Sequence, residues 1–350
     1  MFFDNFACLR CGSALGFLAD ERVLLAIRAT ADDRTVFEPV DGGGRRYRYC
    51  TNELVARCNW LVPADAPARL CRSCVLTSVR PNDAEQVAMA RFADAEAAKR
   101  RLVDQVLSLG LPLIDREVDQ ARGVTFELLS SREKPVTTGH QSGVITLDLS
   151  ESDDAHREFV RQQLGEQYRT VLGHLRHEIG HYFWPLIVVE ADRLGEFRSL
   201  FGDETASYAN AIEQHYSANR DREGDDGWSA THVSRYATMH PWEDWAETFA
   251  HYLHIVDGLE TAESFGLRVG DPSRSAGERE RPVTPDGSSP PVADAVGEWL
   301  VLTLALNAMS RSIGEHDLYP FVLSPTVVAK LDFVHRCVVD AAASRSVSAV

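Results

Sequence analysis

The string HEIGH, from His177 to His181, narrows the middle of this chain to a helix that presents two imidazoles on one face. Residues four apart on an α-helix lie a single turn from each other, so both rings can reach one ion. The flanks agree with a helix. Ser150 to Asp154 supplies cap-type residues, Tyr168, Val171, Leu172, Leu175 and Ile179 recur with amphipathic spacing, and Pro185 closes the run. A hydrolytic zinc site takes three protein ligands and leaves one position for water, which the glutamate next to the first histidine faces as general base. Glu178 occupies that place. Multiplying residue frequencies gives about 0.03 chance occurrences of the pattern in a chain of this composition. Without a metal, two histidines and a glutamate on a buried face would need several other polar partners.

A third ligand must come from elsewhere. The segment PWEDWAETFAHYLH begins with Pro241, well tolerated in a first helical turn, and carries Trp242, Trp245, Phe249, Leu253 and Val256 toward a core. Glu243 and Glu247 stand four apart on that helix. One can bind the ion while the other fixes the tautomer of a ligating imidazole. We assign Glu243 to the metal and Glu247 to His177, with the reverse assignment, or His251 as ligand, left open.

Of 7 cysteines, Cys8, Cys11, Cys50, Cys58, Cys71 and Cys74 all precede residue 75, and two pairs have Cys-x-x-Cys spacing. That clustering fits zinc in a reducing compartment better than a secreted disulfide scaffold. A net charge of −16 repels nucleic-acid phosphates and anionic lipid surfaces. The most apolar run, Trp299 to Leu306, is far below the roughly 18 residues of a membrane span, and no charged leader precedes an apolar stretch. These features predict a cytoplasmic protein with neither nucleic-acid nor membrane partners.

The chain reads as α+β. Residues 1–80 form a cysteine-rich module with short strands such as Val23 to Arg28 and Tyr47 to Tyr49. A helix from Asn82, with Val87, Phe92, Leu102, Val106 and Leu107 inward, ends at Gly110. Val124 to Leu128 and Ile145 to Leu149 alternate as strands with one buried face. Strand 144–149 is a candidate edge strand for pairing with extended substrate. A mostly helical module with this small sheet spans 81–269. A Pro-, Ser- and Gly-rich linker covers 270–292, and helices near 293–311 and 325–342 fill a C-terminal segment 293–350, whose end from Ser344 is expected to fray.

The Glu243 and Glu247 arrangement resembles the gluzincin metallopeptidases. CNWLVPA with CRSC, then AKRRL, TGHQSGVITLDL, YRTVLGHLRHEIGHYFW, FGDE and HPWEDWAETFAHYLH resemble, more narrowly, the bacterial zinc-binding metallopeptidases with an N-terminal zinc ribbon, over most of residues 5–268. The resemblance implies a zinc ribbon joined to a zincin-like domain and a zinc peptidase activity, with no substrate specified. It also implies that Tyr236, seven residues before Glu243, stabilises the oxyanion of a tetrahedral intermediate, with His240 as substitute; a structural role for either stays open. The family pattern has a further Cys-x-x-Cys before the pair matched by Cys8 and Cys11, and this sequence lacks it. Six cysteines then complete one four-thiolate site. We assign Cys8, Cys11, Cys71 and Cys74 to a structural zinc, and leave Cys50 and Cys58 as orphans of a second site or replacements for one pair of the first. Cys337 reads as core, His174 as a core or supporting histidine, and Asp203 and Glu204 as helix-end charges.

These features predict a zinc-dependent peptidase holding one catalytic and one structural Zn²⁺. Its substrate is a peptide or protein, and the ribbon is available to a protein partner. A zinc-stabilised scaffold without turnover, or a hydrolase of some non-peptide amide, are the other readings. Intact Glu178 favours an enzyme, because a scaffold has no physical need of the base.

Overall fold

The computed structural model describes residues 3–164, 166, 168–218, 227–269 and 292–348. Packing divides the chain into one unit of residues 1–165 with 169–175 and a second of 166–168 with 176–350. The linker expected at 270–292 falls on residues outside those described, apart from Val292.

The first unit opens with an antiparallel meander in sequential order: β1 (Ala14–Leu18), β2 (Val23–Ala29), β3 (Phe37–Pro39), β4 (Tyr47–Tyr49) and β5 (Leu61–Pro63). Its core gathers Leu18, Ile27, Tyr47 and Leu61, with Phe37 and Tyr49 packed against them. The sheet curls because the Phe17 N–H donates to the Asn59 carbonyl at 2.8 Å, bridging β1 to the approach of β5. Leu61 then lies directly over Gly16, where an added Cβ would fall 2.5 Å from a leucine methyl and force that side chain to move. Trp60 is fully buried there beside Phe3 and Phe17.

The chain passes from Cys74 almost directly into β6 (Thr77–Val79), which pairs in parallel with β7 (Thr125–Leu129). The cysteine-rich region and the second sheet are therefore continuous. Between them α1 (Gln86–Ser108) buries Phe92, Leu102, Val103 and Val106, whereas Val87 is exposed. Gly110, at φ +73°, ends the helix with the paired bonds Gly110 N to Leu107 O and Leu111 N to Val106 O, which satisfy its last carbonyls.

The second sheet has the order β6-β7-β9-β8, with β8 at Gly139–Gln141 and β9 at Val144–Asp148. β9 pairs on one side with β7 and on the other with β8, so it is an interior strand. The edge role expected for 144–149 is excluded, because the β8–β9 hairpin occupies that edge. Ser142 and Gly143, both at positive φ, make its two-residue turn, and a Cβ on Gly143 would meet the Gly123 carbonyl at 2.3 Å.

The single long helix expected through residue 179 is two helices, α2 (Asp154–Leu164) and α3 (Val171–Trp184). Thr170 starts the second: its hydroxyl accepts from the Gly173 N–H at 2.9 Å and its carbonyl from the His174 N–H at 3.0 Å.

In the second unit, α3 runs through Pro185 into a wide turn over Pro185–Val189, followed by α4 (Leu194–Phe201), α5 (Tyr208–Ala218), α6 (Pro241–Ser264), α7 (Val292–Ser312) and α8 (Pro325–Ser348). The last of these continues beyond Ser344. Its core is aromatic: Phe183, Phe197, Trp245, Phe249 and Phe333 are all fully buried. α7 has the length and apolar composition of a membrane span, with a mean hydropathy of 1.4 over 18 residues. Val296, Trp299 and Leu302 on α7 are nevertheless buried, and Trp299 covers Gly258 of α6 so closely that a Cβ there would lie 2.3 Å from the indole.

Candidate metal centres

Where α3 meets the start of α6, three side chains converge. His177 Nε2 lies 2.9 Å from Glu243 Oε2 and 3.1 Å from His181 Nε2, and His181 Nε2 lies 3.3 Å from the same carboxylate oxygen. A tetrahedral zinc with ligands at 2.0–2.1 Å has donor-to-donor edges of about 3.3 Å. The donor set fits the ion in type and spacing, and the three side chains belong to one cluster of potential ligands.

The approach of the helices is set by Gly180. A Cβ at this position would fall 3.1 Å from Phe249 Cβ and 3.2 Å from Ala246 Cα, and the Trp245 indole N–H donates to the Gly180 carbonyl at 2.9 Å. His240 caps α6: its Nδ1 accepts from the Trp242 N–H at 3.1 Å and Pro241 follows in the first turn.

Glu247 lies one turn beyond Glu243, with Oε1 2.8 Å from His177 Nδ1. The Nδ1–H therefore donates to a carboxylate, and Nε2 is the ring nitrogen turned toward Glu243 Oε2 and His181. Ser234 donates to the other Glu247 oxygen at 2.5 Å, fixing the carboxylate in turn. Burial opposes ionisation of Glu243, but hydrogen bonds with His177 and His181 outweigh it and hold its carboxyl far below the usual range. Glu247 is partly buried, yet its contact with His177 brings it down to about 2. Burial alone would depress His177, and the two carboxylates reverse that and raise it well above an ordinary imidazole. Glu178 behaves differently. Among the described residues no side chain hydrogen-bonds its carboxylate, and burial pushes it up to about 7.

The remaining residues fall on either side of the expectation. His251 is not in the cluster, because its Nδ1 is 2.8 Å from the Tyr319 hydroxyl within an aromatic pocket that includes Phe321. Tyr236 stands beside the centre, its ring 5.8 Å from that of His177. His240 is unsuited to meet a substrate: one ring nitrogen caps α6 and the other donates to the Ala206 carbonyl at 3.1 Å. His174, in the first unit, lies 3.9 Å from Glu151, which Arg169 holds at 2.6 Å.

A second cluster, in the first unit, is Cys50, Cys58, Cys71 and Cys74, all buried. Cys50 ends β4, Cys58 precedes β5, and Cys71 and Cys74 form a knuckle just after it. The hairpin, not the Cys-x-x-Cys spacing, decides the grouping. Cys58 Sγ lies 3.7 Å from Cys71 Sγ, close to the roughly 3.8 Å edge of a tetrahedron with 2.3 Å zinc–sulfur bonds. The Cys71 N–H points at Cys50 Sγ at 3.3 Å and the Cys74 N–H at Cys71 Sγ at 3.4 Å, contacts that stabilise thiolates. The structure does not bring Cys8 and Cys11, assigned to this site from the sequence, into the cluster. They lie in a separate turn before β1, Cys8 partly buried and Cys11 exposed, with Cys11 Sγ 3.2 Å from Ser13 Oγ. Cys337 is buried in α8 as expected, and burial pushes its thiol up to about 12.

Residues 88–337 match the family described as "Putative zinc-binding metallo-peptidase", and residues 1–85 match a zinc-ribbon domain. The chain belongs to that metallopeptidase family. An uncharacterized protein of Mycobacterium tuberculosis (strain ATCC 25618 / H37Rv) is 47% identical over 341 residues, covering 97% of this chain and 92% of the relative. An uncharacterized protein of Mycobacterium bovis (strain ATCC BAA-935 / AF2122/97) is similar to the same extent. No solved structure matches the chain. For a member of a zinc-binding family, Ser234 and Tyr208 are additions to the expected site. Tyr208 donates to Glu243 Oε1 at 2.8 Å, a contact across 35 residues that no local spacing could announce.

Proposed function

We propose that this metallopeptidase hydrolyses peptide bonds, with His177, His181 and Glu243 holding zinc and Glu178 serving as general base. The convergence of three donor atoms at 2.9–3.3 Å carries the reading. When bound, zinc supplies Lewis-acid chemistry, making water acidic enough to lose a proton near neutral pH and drawing charge from a carbonyl oxygen. The chain's own residues do the rest. Glu178, nearly buried and with no hydrogen bond from another described side chain, takes the proton from water and returns it to the departing amine. Glu247 and Ser234 hold the His177 ring in one orientation through Nδ1. Tyr236, whose ring lies beside that of His177, is the residue we assign to the charge that develops on the carbonyl oxygen.

Cys50, Cys58, Cys71 and Cys74 hold a second, structural zinc, a use of cysteine that fits a reducing compartment. Replacing Glu178 by Gln tests the central claim. The variant should keep its zinc and fold and lose peptide cleavage by at least about 10²-fold, the usual contribution of a general base. Retained cleavage would remove Glu178 from the mechanism.

A further inference from the structure

The motif FGDE, Phe201 to Glu204, has no part in the chemistry above, yet the structure builds it carefully. Gly202, at φ +101°, turns the chain out of α4 and lies so near Pro241 that an added Cβ would be 3.3 Å from the proline ring. Asp203 Oδ1 accepts from both the backbone N–H and the hydroxyl of Thr205, at 2.9 and 2.7 Å. Arg198 grips Glu204 with two bonds of 2.9 and 2.5 Å. Next the Ala206 carbonyl accepts from His240 Nε2, and Tyr208 reaches Glu243. Residues 202, 206 and 208 thus meet 241, 240 and 243 in turn, laying one short segment along the first turn of α6.

The last of these contacts touches a proposed ligand. Glu243 turns Oε2 toward both histidines, while Oε1 accepts from the Tyr208 hydroxyl at 2.8 Å. A free carboxylate could rotate or offer both oxygens to a cation. One whose second oxygen already accepts a hydrogen bond presents a single, oriented donor. The Tyr208 ring is itself held by His240, with centroids 5.3 Å apart, and lies beside Trp242. His240 therefore fixes both the start of α6 and the segment that delivers the tyrosine.

We propose that Tyr208 is a positioning residue that keeps Glu243 a one-oxygen ligand, and that FGDE together with His240 is the brace that sets Tyr208 in place. This rests on the reading of His177, His181 and Glu243 as metal ligands. Its consequences appear in the metal itself: loss of the hydroxyl frees the second oxygen, weakens the site and alters its coordination.

The test is Tyr208→Phe, which removes one oxygen and leaves the ring packing intact, in the full-length protein. Zinc affinity of the histidine site is measured by chelator competition, with His177→Ala as the blank that retains only the cysteine site. The visible spectrum of the cobalt-substituted site, taken as the difference from the same blank, reports coordination. The expected result is a 10- to 100-fold loss of affinity, the usual effect of removing a group that orients a ligand, with a weaker cobalt absorption as coordination rises above four. Affinity within twofold of wild type and an unchanged spectrum would overturn the inference alone, provided Glu243→Ala still abolishes binding. If His177→Ala and wild type hold equal zinc, the metallopeptidase reading falls, and this inference with it.

Discussion

Replacing Lys99 by Met should cost the first unit several kcal/mol. The Lys99 and Glu96 side chains are both fully buried on α1, with Nζ 2.7 Å from Glu96 Oε1. Lys99 also donates to the Thr77 hydroxyl, and Glu96 Oε2 lies 3.7 Å from Cys74 Sγ. The ammonium is thus the nearby positive charge beside a carboxylate and a four-cysteine cluster. At 2.7 Å and an effective dielectric near 20, the pair attracts by about 6 kcal/mol, from which the desolvation of the lysine must be subtracted. Breaking a buried pair by removing one partner typically costs about 3–5 kcal/mol. With a urea dependence of about 2 kcal/mol per molar, the unfolding midpoint should fall by about 2 M. Methionine has nearly the length of lysine, so the loss reports charge more than volume. Urea unfolding with peptide-resolved hydrogen exchange reads the first unit apart from the second. The double variant Glu96→Gln, Lys99→Met should recover much of the loss, since exchanging both partners leaves no lone charge. A shift below about 0.5 M in the single variant, or a double variant no better than the single, would refute the reasoning.

Two further substitutions probe the centres. Cys58→Ser should remove one zinc per chain by elemental analysis, while Cys8→Ser should leave the zinc count unchanged; the opposite result would restore Cys8 to the structural site. Gly180→Val should force α6 away from α3, because even a Cβ already meets Phe249 and Ala246 at 3.1–3.2 Å. Zinc at the histidine site should then weaken by at least about tenfold, whereas Gly195→Ala, whose Cβ meets no atom within 4 Å, should bind normally.

What could be read from the sequence was whatever a single helix encodes. His177 and His181 share a face through their spacing alone, and so do Glu243 and Glu247; each pair carries a complete local geometry. Which of the two glutamates faces both imidazoles is left open by that spacing; the structure places the Glu243 carboxylate there. The cysteines show the limit. Cys-x-x-Cys reports that two thiols can share a knuckle but not which knuckle lies opposite. That depends on the β4–β5 hairpin, whose ends put Cys50 and Cys58, eight residues apart, against Cys71 and Cys74. The break between α2 and α3 was hidden for a related reason. The apolar spacing continues past Thr170, while the cap that restarts the helix is a single hydroxyl.

The same distinction explains why Tyr208 is not announced by the sequence while Tyr236 is nominated there. Tyr236 stands seven residues before Glu243, a spacing that the family resemblance supplies. Tyr208 has no register with Glu243, being 35 residues earlier and on another helix. What brings it there is a chain of backbone events: a glycine at positive φ, an aspartate turn, a carbonyl on His240. Each is a common feature of loops, and none alone points to a metal. Their sum places a hydroxyl on the one carboxylate oxygen that the histidines do not face. A site of this kind is specified at two levels, donors by helical periodicity and the groups that orient them by tertiary contacts. A substitution in the FGDE segment should therefore leave the i, i+4 pairing of His177 and His181 intact and disturb the metal through the Tyr208 contact with Glu243.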